Sequence, residues 1–375
     1  MIDVYLQSPF EAREDILMKT TALDSRVGAL MKWVGIVTAL ISFGTALYAL
    51  VHAAGELRDH KRMFREQFDS GRRQWSAGDF ADAWDSFTHA EATVADEGVL
   101  AKLLGGLNAE QREVRAAEQD LAMEWLRNSR VQDGSKFSGI TDRLVNLLAV
   151  GANASSGARR GDLLAHLGWA YFLKWRDADE SLRPETEYKE AVAADAKNPY
   201  ANVFWGHWIL WNHGSLNDAN ARFAIALSSG RAHSEVRHFQ LSGLANARSQ
   251  DTDAAWLRAI SDMHAANEMI DSSLRAEICN RYEEALHDEA LMQRITAAVP
   301  APQQIELIQT LLKSQGISEA QKSTLTVALA VSQETAGRTQ EALQTWKDLA
   351  VELKSQPHSI WSNRVDAAIV KLAHK

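Results

Sequence analysis

Residues 33–55 read WVGIVTALISFGTALYALVHAAG, a run with no Asp, Glu, Lys or Arg whose centre, 34–51, is almost wholly apolar. A helix rises about 1.5 Å per residue, so this length matches the roughly 30 Å hydrocarbon layer of a bilayer. The competing reading is a buried core helix, but such a helix usually keeps a polar stripe and seldom runs this far without a charge. The run is therefore expected to be a transmembrane helix over 29–55, touching the lipid bilayer through residues 34–51. The chain beyond residue 55 has the composition of a water-soluble helical protein. The sequence thus says where the protein sits and what scaffold it carries, but names no partner.

Working outward toward the N-terminus, residues 1–28 form a polar tail with an apolar rhythm at Phe10, Ile16, Leu17, Leu23 and Val27, the pattern of an amphipathic helix. A cleavable signal peptide would place a basic region directly before a short apolar core. Here the apolar run starts late and is long, so a retained signal anchor is expected. Lys19, Arg26 and Lys32 precede the span, and Arg58, Lys61, Arg62 and Arg65 lie after it. The positive-inside rule leans slightly toward a cytoplasmic C-terminal region. Gly35, Ala39, Ser42 and Ala46 are small residues at helical spacing, which would allow self-association through the span. Gly and Ala are also simply common in such helices.

Composition bounds the remainder. Of 375 residues, 46% are hydrophobic and 24% charged, as in a folded protein, and only six are proline, which favours helix over strand. The net charge of −9 speaks against a general nucleic-acid binder, for which a basic face is expected. Cys279 is the sole cysteine, so there is no intramolecular disulfide. The alanine-rich composition is compatible with a bacterial inner membrane.

Beyond the span, residues 56–97 contain GRRQWSAGDFADAWDSFTHA, in which Gly71, Gly78, Ala83, Phe87 and Ala90 occupy small or aromatic positions at fixed intervals. Gly and Ala would let two antiparallel helices touch, Gly78 would break the chain between them, and Phe87 would fill the space toward the next unit. This segment resembles a tetratricopeptide repeat (TPR), a 34-residue helix pair. In residues 161–267 the same register returns twice, at Leu167, Gly168, Tyr171, Tyr188 and Ala191, and at Trp205, Gly206, Ile209, Ala219, Phe223 and Ala226. A weaker helix pair runs from His233 to about Asn267. Residues 98–160 read as a helical connector ending in GANASSGARRG, a Gly- and Ser-rich run expected to be flexible. Residues 268–322 are a divergent helical region with a break at VPAP. In 323–375, Leu329, Ala330, Gly337, Ala342, Trp346 and Leu349 restore the register, and a helix from Ile360 to Ala373 would cap the stack. The expected fold is all-α: a TPR-like helical-repeat solenoid preceded by a single transmembrane helix.

The resemblance implies a concave face that binds extended peptides or helices. Its register puts Trp169, Phe172, Tyr200, His207 and Trp211 on that face, where aromatic rings would act as hot spots. The alternative is that they pack against neighbouring helices. Relatives that hold acidic chaperone tails carry Lys, Asn and Arg on the inner face. Here the corresponding residues include Asp162, Ala165, His166, Tyr200, Val203 and Phe204, so an apolar or mixed ligand surface is expected. Two other locations for a partner are the divergent units of 268–320 and the membrane-proximal repeat with Arg72 and Trp75.

No catalytic constellation emerges. Gly134-Ser135-Lys136 lacks the preceding glycine of a phosphate loop, and no HExxH occurs. His207 and His213, and His233 and His238, are not at ligand spacing on one helix face. Cys279 reads as a buried small residue rather than a nucleophile. No cofactor, metal or enzymatic activity is expected. The functional expectation is a membrane-anchored protein-binding scaffold or adaptor. Two alternatives stay open: a structural subunit of a membrane complex, and a ligand- or peptide-sensing solenoid that alters assembly of the anchor.

Overall fold

A computed structural model of the chain describes residues 9–96, 98, 99, 102, 105–178, 181–354 and 359–373. Among the described residues all regular structure is helical, in sixteen helices with no strand. The chain divides into two compact units, 1–125 and 126–375.

The first unit is dominated by α1 (Pro9–Ser76). From Pro9 onward the tail, the apolar run and the helix that follows it form one helix. No proline interrupts it after its first residue, and Gly28, Gly35, Gly44 and Gly55 have open space around them, so nothing forces a break. This helix is long and apolar enough to cross a membrane, and none of its apolar window is buried. Leu40 and Ile41 are 65% exposed and Phe43 69%. So large an apolar patch is unfavourable in water and marks a surface made for lipid or another protein.

Further along, α1 acquires a packed face. Phe64 and Phe68 are buried with ring centroids 5.4 Å apart, and Phe68 lies 5.4 Å from Phe87 of α2 (Phe80–Ala95). A β-carbon on Gly71 would lie 2.7 Å from the Phe87 ring, so the close approach of the two helices requires glycine there. Between them Gly78 takes φ +85°, in the left-handed region that glycine enters without strain. Trp125 of α3 (Asn108–Asn128) stacks on Phe80, and Trp75 Nε1–H donates to Glu124 at 2.9 Å.

The second unit continues with α4 (Gly134–Asn153), α5 (Gly157–Ala178), α6 (Glu185–Ala194), α7 (Pro199–Trp211) and α8 (Leu216–Ser228). The run GANASSGARRG, expected as a connection, holds the break between α4 and α5: helix ends at Asn153 and resumes at Gly157. Some of its residues also serve packing. A β-carbon on Gly161 would meet the Asn198 amide at 3.1 Å, and Arg160 donates to the Ala152 carbonyl at 3.2 Å and to Glu190 at 3.0 Å. The approach seen at Gly71 recurs twice: a β-carbon on Gly168 would lie 2.6 Å from the Tyr188 ring, and one on Gly206 2.6 Å from the Phe223 ring.

The chain then passes through α9 (His233–Ala247), α10 (Gln250–Ala265), α11 (Ser272–His287), α12 (Glu289–Ala298) and α13 (Ala301–Leu312). It closes with α14 (Glu319–Thr335), α15 (Thr339–Leu353) and α16 (Ser362–Ala373). Their starts are written in the sequence. Ser215, Ser249, Asp271, Asp288 and Ser318 each accept a backbone N–H of the first turn, and Ser249 and Ser318 form capping boxes with Thr252 and Gln321. Such caps contribute about 1 kcal/mol each. At the C-terminal end, buried Trp361 stacks on His287 with centroids 5.0 Å apart.

Candidate functional site

Two features of the second unit combine polar chemistry with aromatic surface. The first holds the five residues singled out in the sequence. Trp169 of α5 stacks on Phe204 of α7 at 4.6 Å and meets Phe239 of α9 edge-on at 5.0 Å, while its Nε1–H donates to the Leu126 carbonyl at 3.0 Å. Phe172 sits 5.3 Å from His207 and 5.6 Å from Trp211. Trp169, Phe172 and His207 are 4%, 0% and 2% exposed, so these three belong to a core and not to an open groove. The physical reason is that α9, through Phe239, and the end of α3, through Leu126, lie over the face that was expected to be open. Tyr200 and Trp211 remain half-buried at its margins.

A polar chain borders this core. Tyr200 donates to the Glu235 carboxylate, and Arg127 lies over the Tyr200 ring, 4.8 Å from its centroid. Arg127 Nη1 donates to His166 Nε2 at 2.7 Å. A guanidinium only donates, so His166 carries its proton on Nδ1 and gives it to the Asp162 carbonyl, also at 2.7 Å. Burial, then the charge of Arg127, hold His166 neutral with its pKa well below the ordinary value. Burial likewise raises the Tyr200 pKa, and its bond to Glu235 adds to this.

His207, in the same core, is a second buried imidazole. Its Nδ1 is buried without a hydrogen-bond partner among the described residues. Burial first, then the charges of Arg176 and His238, push its pKa down to about 3. An unfolded imidazole titrates near 6.5, so below that pH the unfolded chain takes up a proton that the folded chain refuses. The neutral histidine's contribution is therefore intact above about pH 6.5 and is lost as pH falls toward 3, at roughly 1.4 kcal/mol per pH unit. His207→Leu is expected to make the urea midpoint less sensitive to a change from pH 7 to pH 5. An unchanged sensitivity would show that His207 is solvated.

The second feature is an open groove of about 940 Å³ between α9, α10, α11 and the loop before α11. Its floor includes Leu241, Trp256 and Met263, all buried, and its rim carries Met269, which is 84% exposed. One wall is an ion-pair latch. Arg237 donates to both Glu268 oxygens, at 3.1 and 3.0 Å, and His233 Nε2 donates to the same carboxylate at 2.9 Å. Burial pushes the Glu268 pKa up, but the bonds from Arg237 and His233 outweigh it and leave the group below the usual carboxylate range. The loop carrying Glu268 is thereby tied back onto α9, with Asn267 in the left-handed region at φ +54°. Two lining residues, Trp256 and Glu277, are held by buried Arg281, which lies 4.5 Å over the Trp256 ring and pairs with Glu277 at 3.0 Å and with Asp253.

No family model and no curated protein sequence matches this chain. Chemistry then ranks the two features. The aromatic core is filled by its own side chains, whereas the groove is open and mixed in character, as expected for a ligand surface. Sequence reasoning did not single out its residues, although residues 268–320 were among the alternative locations. The visible signal was His233 and Arg237, four residues apart and so on one helix face, where both can reach one carboxylate. Cys279 of α11 is buried, and burial raises its thiol pKa to about 11, which suits packing rather than nucleophilic chemistry. Among the described residues no group of three or more His, Cys, Asp or Glu side chains is placed to hold a metal ion.

Proposed function

We propose that the chain is a membrane-anchored, non-catalytic scaffold: residues 34–51 sit in a bilayer, and a TPR-like solenoid recruits protein or peptide partners. The observation that carries this reading is the unbroken α1, whose exposed apolar stretch leads without a hinge into a helix packed on α2. The anchor then runs on into the helix that packs against α2. The repeat part is supported by the recurrent pairing of glycine with an aromatic ring at Gly71 and Phe87, Gly168 and Tyr188, and Gly206 and Phe223. Alanine-rich composition and the slight excess of Lys and Arg after the span favour a bacterial inner membrane with the helical part in the cytoplasm.

The groove bounded by α9, α10 and α11 is the partner site in this proposal. Met269 and Leu274 offer adaptable apolar contact, while Asn280 and Ser273 offer hydrogen bonds at the edge. A peptide or helix with one apolar anchor fits such a lining. Partners captured by the full chain, purified in mild detergent, are expected to bind the double variant Met269→Glu and Leu274→Glu about thirtyfold more weakly, the equivalent of roughly 2 kcal/mol at a central contact. Helicity by circular dichroism should not change, because both side chains are at least partly exposed. Undiminished capture would remove the groove from the proposal, and a chain that captures nothing would remove the scaffold.

A further inference from the structure

We propose that the protein is a parallel dimer, joined along α1 by a two-stranded seam that starts ahead of the apolar run and continues into it. The inference rests on the membrane reading of α1. Its first support is the length of that helix. The helix begins at Pro9, so residues 9–33 project roughly 37 Å beyond the span. Helices in proteins draw most of their stability from packing an amphipathic face rather than from propensity. Val27 and Leu30, where this extension meets the span, are exposed.

The second support is register. Because α1 is one helix, positions seven apart share a face throughout it. Leu23, Leu30 and Val37 repeat at that interval, and Val27, Val34 and Ile41 repeat four residues behind them. These are the d and a positions of a heptad, with leucine at d ahead of the span and β-branched residues at a. That combination favours two parallel strands. Between residues 19 and 28, Leu23 and Val27 are the only large apolar residues, so the stripe there is narrow and matches a seam rather than a broad lipid-facing side. Within the span Gly44 takes the next d position and lets the two backbones approach. This seam is a different face from the one that carries Gly35, Ala39, Ser42 and Ala46.

Charge and topology choose the occupant. In a parallel pair, a residue at g lies near the e residue five positions on in the other strand. Here these are Lys19 and Asp24, of opposite sign. Copies of a single-span protein also enter a bilayer in the same direction, so a second copy arrives already parallel. A dimer would present two grooves on the same side of the membrane and would hold a multivalent partner by avidity.

Disulfide crosslinking of the full chain in membranes tests this. With Cys279→Ala removing the native thiol, single cysteines are introduced on the seam as Leu23→Cys or Leu30→Cys, and off it as Ser25→Cys or Ala29→Cys. Mild oxidation is expected to give a species of twice the chain's mass at the seam positions, about tenfold more than at the outer ones. In the Leu23→Cys background, Lys19→Asp should lower the yield roughly two- to fivefold, and adding Asp24→Lys should restore it. Equal crosslinking at all four positions, crosslinking at none, or no restoration by the second charge reversal would overturn the proposal. Carbonate extraction of the same membranes reports the anchor separately. A chain that crosslinks only off the seam yet resists extraction refutes the seam and leaves the anchor standing. If the chain is extracted, the anchor reading fails and the four cysteines judge the seam in the soluble fraction.

Discussion

Trp169→Ala is expected to lower the stability of the helical part by about 3–5 kcal/mol, the cost of truncating a core tryptophan, and to lower its melting temperature accordingly. The indole is stacked on Phe204, contacted edge-on by Phe239 and His207, and bonded to the Leu126 carbonyl. Truncation would remove contacts to three helices at once and leave that carbonyl without its donor. Trp211→Ala should cost clearly less, because Trp211 is only half-buried and its Nε1 has no hydrogen-bond partner to lose among the described residues. Urea unfolding of both variants checks the order. A Trp169→Ala protein as stable as the wild type, but impaired in partner capture, would return the residue to a partner-facing surface.

That reassignment shows where sequence reasoning ends. A helical chain with one long apolar helix is legible because its signals are local: the uncharged run of 33–55, the scarcity of proline, and capping residues such as Ser215, Ser249, Asp271 and Ser318. The close contacts at Gly71, Gly168 and Gly206 are legible too, since a glycine paired with a later aromatic ring implies a tight helix crossing. Burial of Trp169, Phe172 and His207 depends instead on distant covering groups, Phe239 and the end of α3, which no local pattern announces. At GANASSGARRG the small residues do mark the break between α4 and α5, while the contacts of Arg160 with Glu190 and of Gly161 with Asn198 beside it come from distant residues. The boundary between compact units falls at 125/126, inside α3, where neither glycine nor proline marks it. The groove was hard to foresee for a related reason. It lies between α9, α10 and α11, and its walls come from separate segments of the chain.

The scaffold reading joins two properties that stand or fall separately. In that proposal the groove decides what is held, and α1 decides where it is held. The second is the central claim, since without a bilayer the exposed side chains of residues 34–51 would be an aggregation surface rather than an anchor. Ile41 and Leu47 are both exposed on α1 and packed against nothing else in the chain, so on the membrane reading arginine at either position has to enter the hydrocarbon layer with the helix. Each intramembrane arginine costs about 2.5–3.5 kcal/mol on insertion scales, so the pair opposes insertion by roughly 5–7 kcal/mol. The packed face of α1 begins beyond the span, at Ala53, Phe64 and Phe68, and is untouched by either change. The most direct measurement is therefore alkaline carbonate extraction of cells expressing the wild-type chain or the double variant Ile41→Arg and Leu47→Arg. Membrane anchoring requires the wild type to stay with the extracted membranes and the variant to move to the soluble or aggregated fraction. A double variant that remains in carbonate-resistant membranes as fully as the wild type would contradict it.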